Sequence, residues 1–153
     1  TAISYRYKEN APYSMSGVIE NKANIWMHPP RDQYFKILEL NPFPYIKAPY
    51  EVGTQWNWKL QIGSHWGDER WKTWEGTIEN NYQYEITAKK NIATPFGDLE
   101  CLVVESTAKS TLGETALTAY FHQKYGFVKL NYTNIDRSKT QLELVKHSEG
   151  KTL

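Results

Sequence analysis

The chain has 153 residues, with 18 Lys and Arg against 17 Asp and Glu, a net charge of +1 and a mean hydropathy of -0.67. That length predicts a single domain with a core of its own, which needs neither disulfides nor a structural metal. The balanced, scattered charge excludes bulk attraction to nucleic acid or anionic lipid, and no stretch approaches the ~20 apolar residues of a membrane span.

Aromatic residues dominate the composition: 6 Trp, 11 Tyr and 5 Phe make up 14% of the chain. Such side chains favour half-buried pleated surfaces, so this bias indicates a β core. The single cysteine, Cys101, lies in an apolar stretch and excludes an intramolecular disulfide. Because no His or Lys is adjacent in sequence to lower its pKa, we interpret Cys101 as a small buried hydrophobe.

Alternation of polar and apolar residues over 55–62 predicts a half-buried strand, with Trp56, Trp58, Leu60 and Ile62 on one face. Turn residues divide the rest of the chain into further short apolar segments. Their spacing predicts an all-β fold, an antiparallel meander that forms a half-barrel or barrel with little or no helix. The other predicted strands are residues 14–20, 23–27, 34–40, 71–79, 82–88, 99–107, 115–122, 127–134 and 139–145.

The same sequence also predicts turns, one alternative helix and two segments outside the meander. Asn80 and Asn81 predict the turn between strands 71–79 and 82–88, and Gly97 and Gly126 are predicted to occupy turns with unusual backbone conformations. Residues 111–121 contain enough Ala and Leu for a helix to rival the strand. Within one β domain over 1–153, residues 1–12 are interpreted as an N-terminal extension and 41–54, with Pro42, Pro44 and Pro49, as an extended surface connection.

The segments 94–101 (TPFGDLEC) and 120–129 (YFHQKYGFVK) carry a resemblance to a known group. They resemble the TPxG-x-F/L-x-C and YY…GxVK hairpins of uncharacterised bacterial periplasmic lipoproteins, which are related in fold to lipoprotein carriers such as LolA. The resemblance implies a curved antiparallel sheet in an exported protein of the periplasm or cell envelope. Because the chain begins at Thr1, we expect any leader, and a lipid anchor on it, to precede this sequence.

No catalytic constellation is evident, so we expect no catalytic residues and no cofactor. The four histidines lack the local spacing of a metal site. His65, Asp68 and Glu69 are the best remaining cluster, with an imidazole and two carboxylates in one loop. Cation binding and proton transfer are both conceivable there, although charged loop tips are usually solvated.

Five tryptophans within nineteen positions are the stronger indication of function. Trp56, Trp58 and Trp74 share the parity of apolar neighbours and are predicted to form a concave core. Trp66 and Trp71 lie at or beside a turn, where their rings could face a ligand.

These observations favour a non-catalytic exported protein that binds an apolar or amphipathic molecule, such as a lipid, between its sheet and residues 41–53. Trp56, Trp58, Trp66, Trp71, Trp74 and Tyr82 are the predicted ligand-binding residues. The alternatives are a carbohydrate-binding module that uses exposed Trp66, Trp71 and Tyr82, an enzyme of unknown class, and a protein that binds a partner through an edge strand. The sequence does not determine the oligomeric state.

Overall fold

The computed structural model describes residues 2–6 and 8–149 of the chain. Within those residues, ten strands form two antiparallel sheets, one of four strands in the order β1-β2-β3-β4 and one of six in the order β10-β9-β8-β7-β6-β5. The strands are β1 Ala2–Tyr5, β2 Ser14–Glu20, β3 Asn24–Met27, β4 Tyr45–Lys47, β5 Gln55–Gly63, β6 Thr77–Thr94, β7 Gly97–Ser110, β8 Gly113–His122, β9 Gly126–Thr133 and β10 Lys139–Glu143. Two 3₁₀ helices, Gln33–Leu40 and Ser64–Trp66, complete the described elements.

The six-stranded sheet is a meander in which every strand pairs with the next one along the chain. Its two edges are β5 and β10, and it remains open rather than closing on itself among the described residues. The predicted all-β antiparallel meander is therefore confirmed, with the open sheet in place of the closed barrel. No helix in the described part of the chain is long and apolar enough to cross a bilayer.

One face of this sheet is the core of the molecule. Residues directly opposite each other in an antiparallel pair share a face, so the register Trp56↔Tyr84 and Ile62↔Ile78 extends the apolar face of β5 onto β6. The register Ser106↔Leu117 and Leu117↔Tyr132 carries the same face across β7, β8 and β9. Most side chains of this inner face are buried, including Tyr82, Tyr84, Ile86, Val104, Ala108, Leu117, Ala119, Leu130 and Tyr132.

The inner face is covered by the 3₁₀ helix Gln33–Leu40 and by residues 41–47. Phe35, Ile37, Leu38 and Leu40 of the helix are buried. Phe43 packs on the sheet, with ring centroids 5.4 Å from Trp58 and 6.3 Å from Tyr82. This layer supplies the second side that a one-faced apolar sheet requires.

Polar side chains of the sheet satisfy the backbone of the covering layer. Asn80 Nδ2 and Thr115 Oγ1 donate to the Leu40 carbonyl at 3.1 and 2.9 Å. The Tyr84 hydroxyl donates to the Phe43 carbonyl at 3.1 Å. Irregular backbone is costly to bury without such partners, so these bonds allow residues 40–43 to lie inside the core.

Residues 34–40 and 71–88 correct two predictions. Residues 34–40 belong to a 3₁₀ helix rather than a strand, because apolar side chains on every turn pack into the core. Residues 71–79 and 82–88 are not two strands joined by a turn at Asn80, since Thr77–Thr94 is one continuous strand. Asn80 points into the core, where the Leu40 carbonyl accepts its amide hydrogen bond.

Within the N-terminal extension 1–12, β1 pairs with β2. The Pro-rich connection differs from the predicted course along the surface. Within 41–54, residues 41–44 are buried and Tyr45–Lys47 pairs with β3. Proline restricts the strand pairing of this segment, yet its apolar side chains favour burial over a course along the surface.

The remaining strand predictions are confirmed to within three residues at each end. Residues 111–121 lie in a turn and strand β8, so the helical alternative is wrong. Gly97 and Gly126 both have positive φ, at 101° and 74°, as predicted for turn glycines.

Cys101 is fully buried, as predicted, and its burial raises the pKa of the thiol.

Candidate functional site

A groove of about 400 Å³ opens on the N-terminal side of the molecule. It lies among β1, β2, β3 and the connection 28–32 that leads into the 3₁₀ helix. The lining residues are Tyr5, Ser14, Met15, Ser16, Gly17, Val18, Ile19, Trp26, His28, Pro29, Arg31 and Asp32.

The apolar part of the groove comes mainly from β2 and β3. Met15 and Ile19 of β2 are 73% and 50% exposed, values unusual for large apolar side chains. Trp26 of β3 is half-buried, and its ring centroid lies 6.1 Å from that of Trp58 on the large sheet. Trp26 therefore contacts both the groove and the aromatic core.

Two side-chain hydrogen bonds fix the polar residues of the groove in place. The Ser14 hydroxyl donates to the Asp32 carboxylate, which ties β2 to the connection 28–32. The Ser16 hydroxyl donates to the His28 carbonyl at 2.8 Å. Burial raises the pKa of the Tyr5 hydroxyl, which keeps the hydroxyl neutral and able to donate.

Arg31 is the cationic group of the groove. Its Nε donates to His28 Nδ1 at 2.9 Å, and its guanidinium lies 5.6 Å from the ring centroid of Trp66. Among the described residues, no hydrogen-bond acceptor is paired with its two Nη atoms. The guanidinium is thus oriented by two neighbours while its outer donors remain available.

Behind His28 lies Glu39, a carboxyl group that is only 6% exposed. Its Oε2 has no hydrogen-bond partner among the described residues and lies 3.9 Å from His28 Nδ1. Burial raises the Glu39 pKa to about 7, and burial together with Arg31 lowers the His28 pKa to about 4. Between those values both groups are neutral, so this contact is not an ion pair under mildly acidic conditions.

Trp56, Trp58 and Tyr82 belong to the inner face of the large sheet. Trp56 stacks on Tyr84 at 5.2 Å, and Trp58 stacks on Tyr82 at 5.1 Å. Trp56 is buried and Trp58 is half-buried, in agreement with the predicted concave core. Tyr82 is 1% exposed, so its role as an exposed platform for sugar rings is wrong.

Trp66, Trp71 and Trp74 are half-buried and pack against the same core. The Arg31 guanidinium lies over Trp66, and that of Arg70 lies over Trp71 at 4.8 Å. Trp74 Nε1 donates to the Ile62 carbonyl at 3.3 Å. One face of the Trp66 ring and one face of the Trp71 ring are therefore already occupied by an arginine.

His65, Asp68 and Glu69 are not brought together as a metal site. The Asp68 carboxylate accepts two hydrogen bonds from the Arg70 side chain, each at 2.8 Å, and these hold its pKa well below the usual range. His65 and Glu69 are exposed. No group of three or more metal-ligating side chains occurs within residues 2–6 and 8–149.

The predicted ligand space between the sheet and residues 41–53 is filled. Phe43 contacts Trp58 and Tyr82 directly, and Asn41 Nδ2 donates to the Thr133 carbonyl at 3.0 Å.

The groove beside β2 was not predicted from the sequence, because its residues come from three separated segments. Glu39, a glutamate within the apolar run 37–40, was an unusual feature of the sequence next to this groove, because it lies 3.9 Å from His28.

No protein family, curated protein or solved structure matches the chain.

Proposed function

We propose that the protein is a non-catalytic binding protein that holds a small amphipathic molecule in the groove beside β2. The observation that carries this proposal is the division of the groove into an apolar wall and a polar end. Ligand sites are typically concave, mainly apolar and provided with a few convergent polar groups. The volume of about 400 Å³ suits a ligand of roughly ten to twenty heavy atoms.

The exposed apolar side chains of β2 support this assignment. Met15 and Ile19 flank Gly17, at which an added Cβ would meet no atom within 4 Å. A flexible methionine and an open glycine position leave room for an alkyl chain against Trp26. The polar residues around Arg31 would contact the other end of the ligand.

The proposal is tested by calorimetric titration of decanoate into the wild-type protein and into Gly17→Phe. The new ring would fill the groove, so we expect Gly17→Phe to lose measurable binding. The control is Gln83→Phe, because Gln83 is exposed on the large sheet, away from the groove. Circular dichroism establishes that both variants fold. Equal binding by wild type and Gly17→Phe would refute the assignment of the groove.

We also propose that the protein acts in the periplasm or cell envelope. This rests on the resemblance of segments 94–101 and 120–129 to periplasmic lipoproteins. Fractionation of cells that express the complete gene product tests it directly. Recovery of the protein in the cytoplasmic fraction alone would contradict the proposal.

A further inference from the structure

We infer that the groove selects ligands with an anionic headgroup, bound by Arg31, and that the buried carboxyl of Glu39 makes this selection depend on protonation. This inference rests on the proposed function and specifies the chemistry of its ligand.

The orientation of Arg31 favours an anion. His28 Nδ1 accepts from its Nε at 2.9 Å and the Trp66 ring faces the guanidinium, which fixes the plane of the group. The remaining Nη donors suit the paired oxygen atoms of a carboxylate, sulfonate or phosphate. Asp32, the nearest acidic residue in sequence, already accepts a hydrogen bond from Ser14.

Glu39 is close enough to modulate this charge. The carboxyl is buried, with an unpartnered oxygen 3.9 Å from the His28 nitrogen to which Arg31 donates. When Glu39 is protonated, the charge of Arg31 is available to a ligand. When Glu39 ionises, its negative charge opposes an incoming anion, because a buried charge is poorly screened by solvent.

The surrounding titratable groups leave Glu39 as the group that changes charge near neutral pH. The His28 pKa of about 4 keeps that ring neutral above pH 5.5, and burial raises the pKa of both nearby tyrosines. Within the described residues, His28 contacts both Arg31 and Glu39, Tyr5 interacts electrostatically with Arg31 and Tyr82 with Glu39, and Asp32 follows Arg31 in the chain.

Two probes of equal chain length and permanent, opposite charge provide the test: decanesulfonate and decyltrimethylammonium, below their micelle concentrations. Neither probe titrates, so any pH dependence belongs to the protein. At pH 5.5 we expect decanesulfonate to bind about tenfold more tightly than the cation. Its affinity should fall about threefold to tenfold between pH 5.5 and pH 8, as Glu39 ionises.

Variants assign each effect to a residue. Arg31→Gln should abolish the preference for the anion, whereas Lys89→Gln, an exposed site on β6, should not. Glu39→Gln should bind the anion equally at pH 5.5 and pH 8, whereas Glu143→Gln should retain the wild-type dependence. Parallel titrations of decanoate and decyl phosphate distinguish carboxylate from phosphate as the preferred headgroup.

The outcomes separate this inference from the proposed function. If both charged probes and neutral 1-decanol fail to bind, the groove is not a ligand site and both proposals fall. If the probes bind with equal affinity, or with a pH dependence that Glu39→Gln preserves, binding stands and the headgroup inference is overturned.

Discussion

The rings of Phe96 and Tyr125 stack with their centroids 5.2 Å apart and their planes 15° from parallel. Phe96 belongs to the segment 94–101 and Tyr125 to the segment 120–129, so these two segments meet in space. His122 also stacks on Tyr125, at 5.1 Å. The hairpin ends of β6–β7 and β8–β9 are thus joined by an aromatic contact.

This contact should be measurable as a coupling energy. In a double-mutant cycle of Phe96→Ala and Tyr125→Ala, we expect a coupling of about 0.5–1.5 kcal/mol in the free energy of unfolding. Urea denaturation supplies the four stabilities. The control cycle pairs Phe96→Ala with Trp58→Ala, two sites with no ring contact, and should be additive. Additivity in both cycles would contradict the contact.

Trp58 of the large sheet contacts Trp26 of the four-stranded sheet and Phe43 of the covering layer. Trp58→Ala should reduce the free energy of unfolding by about 3–5 kcal/mol, because it removes aromatic contacts and leaves a cavity. Lys59→Ala, at the adjacent exposed position, should change it by less than about 0.5 kcal/mol. A denaturation midpoint of Trp58→Ala equal to that of wild type would contradict the role of this face.

Removing either of two buried tyrosine hydroxyls should affect the stability of the fold differently. The Tyr84 hydroxyl donates to the Phe43 carbonyl, so Tyr84→Phe leaves that carbonyl unpaired and should cost about 1–3 kcal/mol. The Tyr132 hydroxyl has no partner among the described residues, so Tyr132→Phe should be neutral or stabilising. Thermal unfolding of both variants tests this difference, and an equal loss in both would refute it.

The turn glycines provide a test of backbone strain alone. An added Cβ at Gly97 or Gly126 meets no atom within 4 Å, yet both residues have positive φ. Alanine at either position should therefore destabilise the fold by about 1 kcal/mol. Gly17→Ala, where φ is not positive and space is also open, should have little effect. A similar stability for all three variants, measured in urea, would exclude strain as the cause.

Glu39 and His28 should have opposing effects on the pH dependence of stability. The Glu39 pKa rises from 4.5 to about 7 on folding, so its contribution is present below pH 4.5 and lost as pH rises to 7. The His28 pKa falls from 6.5 to about 4, so its contribution is present above pH 6.5 and lost as pH falls to 4. Between pH 4.5 and 6.5 the two effects cancel in the wild type.

Single substitutions should reveal each effect, at about 2–3 kcal/mol. Relative to wild type, Glu39→Gln should lose stability as pH falls from 6.5 to 4. His28→Asn should instead lose stability as pH rises from 4.5 to 7. Urea titrations at half-unit pH intervals measure both curves, and parallel curves for the two variants would exclude the assigned shifts.

The sequence predicted the meander because local alternation determines which face of each strand is buried. Residues 55–62 show this clearly, since every second side chain faces the core. Asn80 shows the limit of that reasoning. An asparagine pair favours a turn locally, but the Leu40 carbonyl, forty residues away in sequence, supplies the acceptor that stabilises Asn80 within a strand.

The candidate site was less predictable than the sheet. The groove joins β1, β2 and the connection 28–32, and no local pattern encodes that arrangement. The number of clustered tryptophans predicted a ligand site, but their rings fill the core or pack against arginines. No pattern in the sequence joins Arg31 to Glu39, and only the folded structure brings both of them to His28.

The covering layer has a consequence for the order in which the chain is made. The layer leaves the ribosome before any strand of the sheet beneath it, and Asn41 finds its acceptor on Thr133 only 92 residues later. Phe43 meets Trp58 and Tyr82 once β5 and β6 are made, but the contacts of the layer with β9 form only at the end of synthesis. Apolar side chains of residues 35–43 therefore stay partly unpaired while most of the chain is synthesised, which favours aggregation of the incomplete chain.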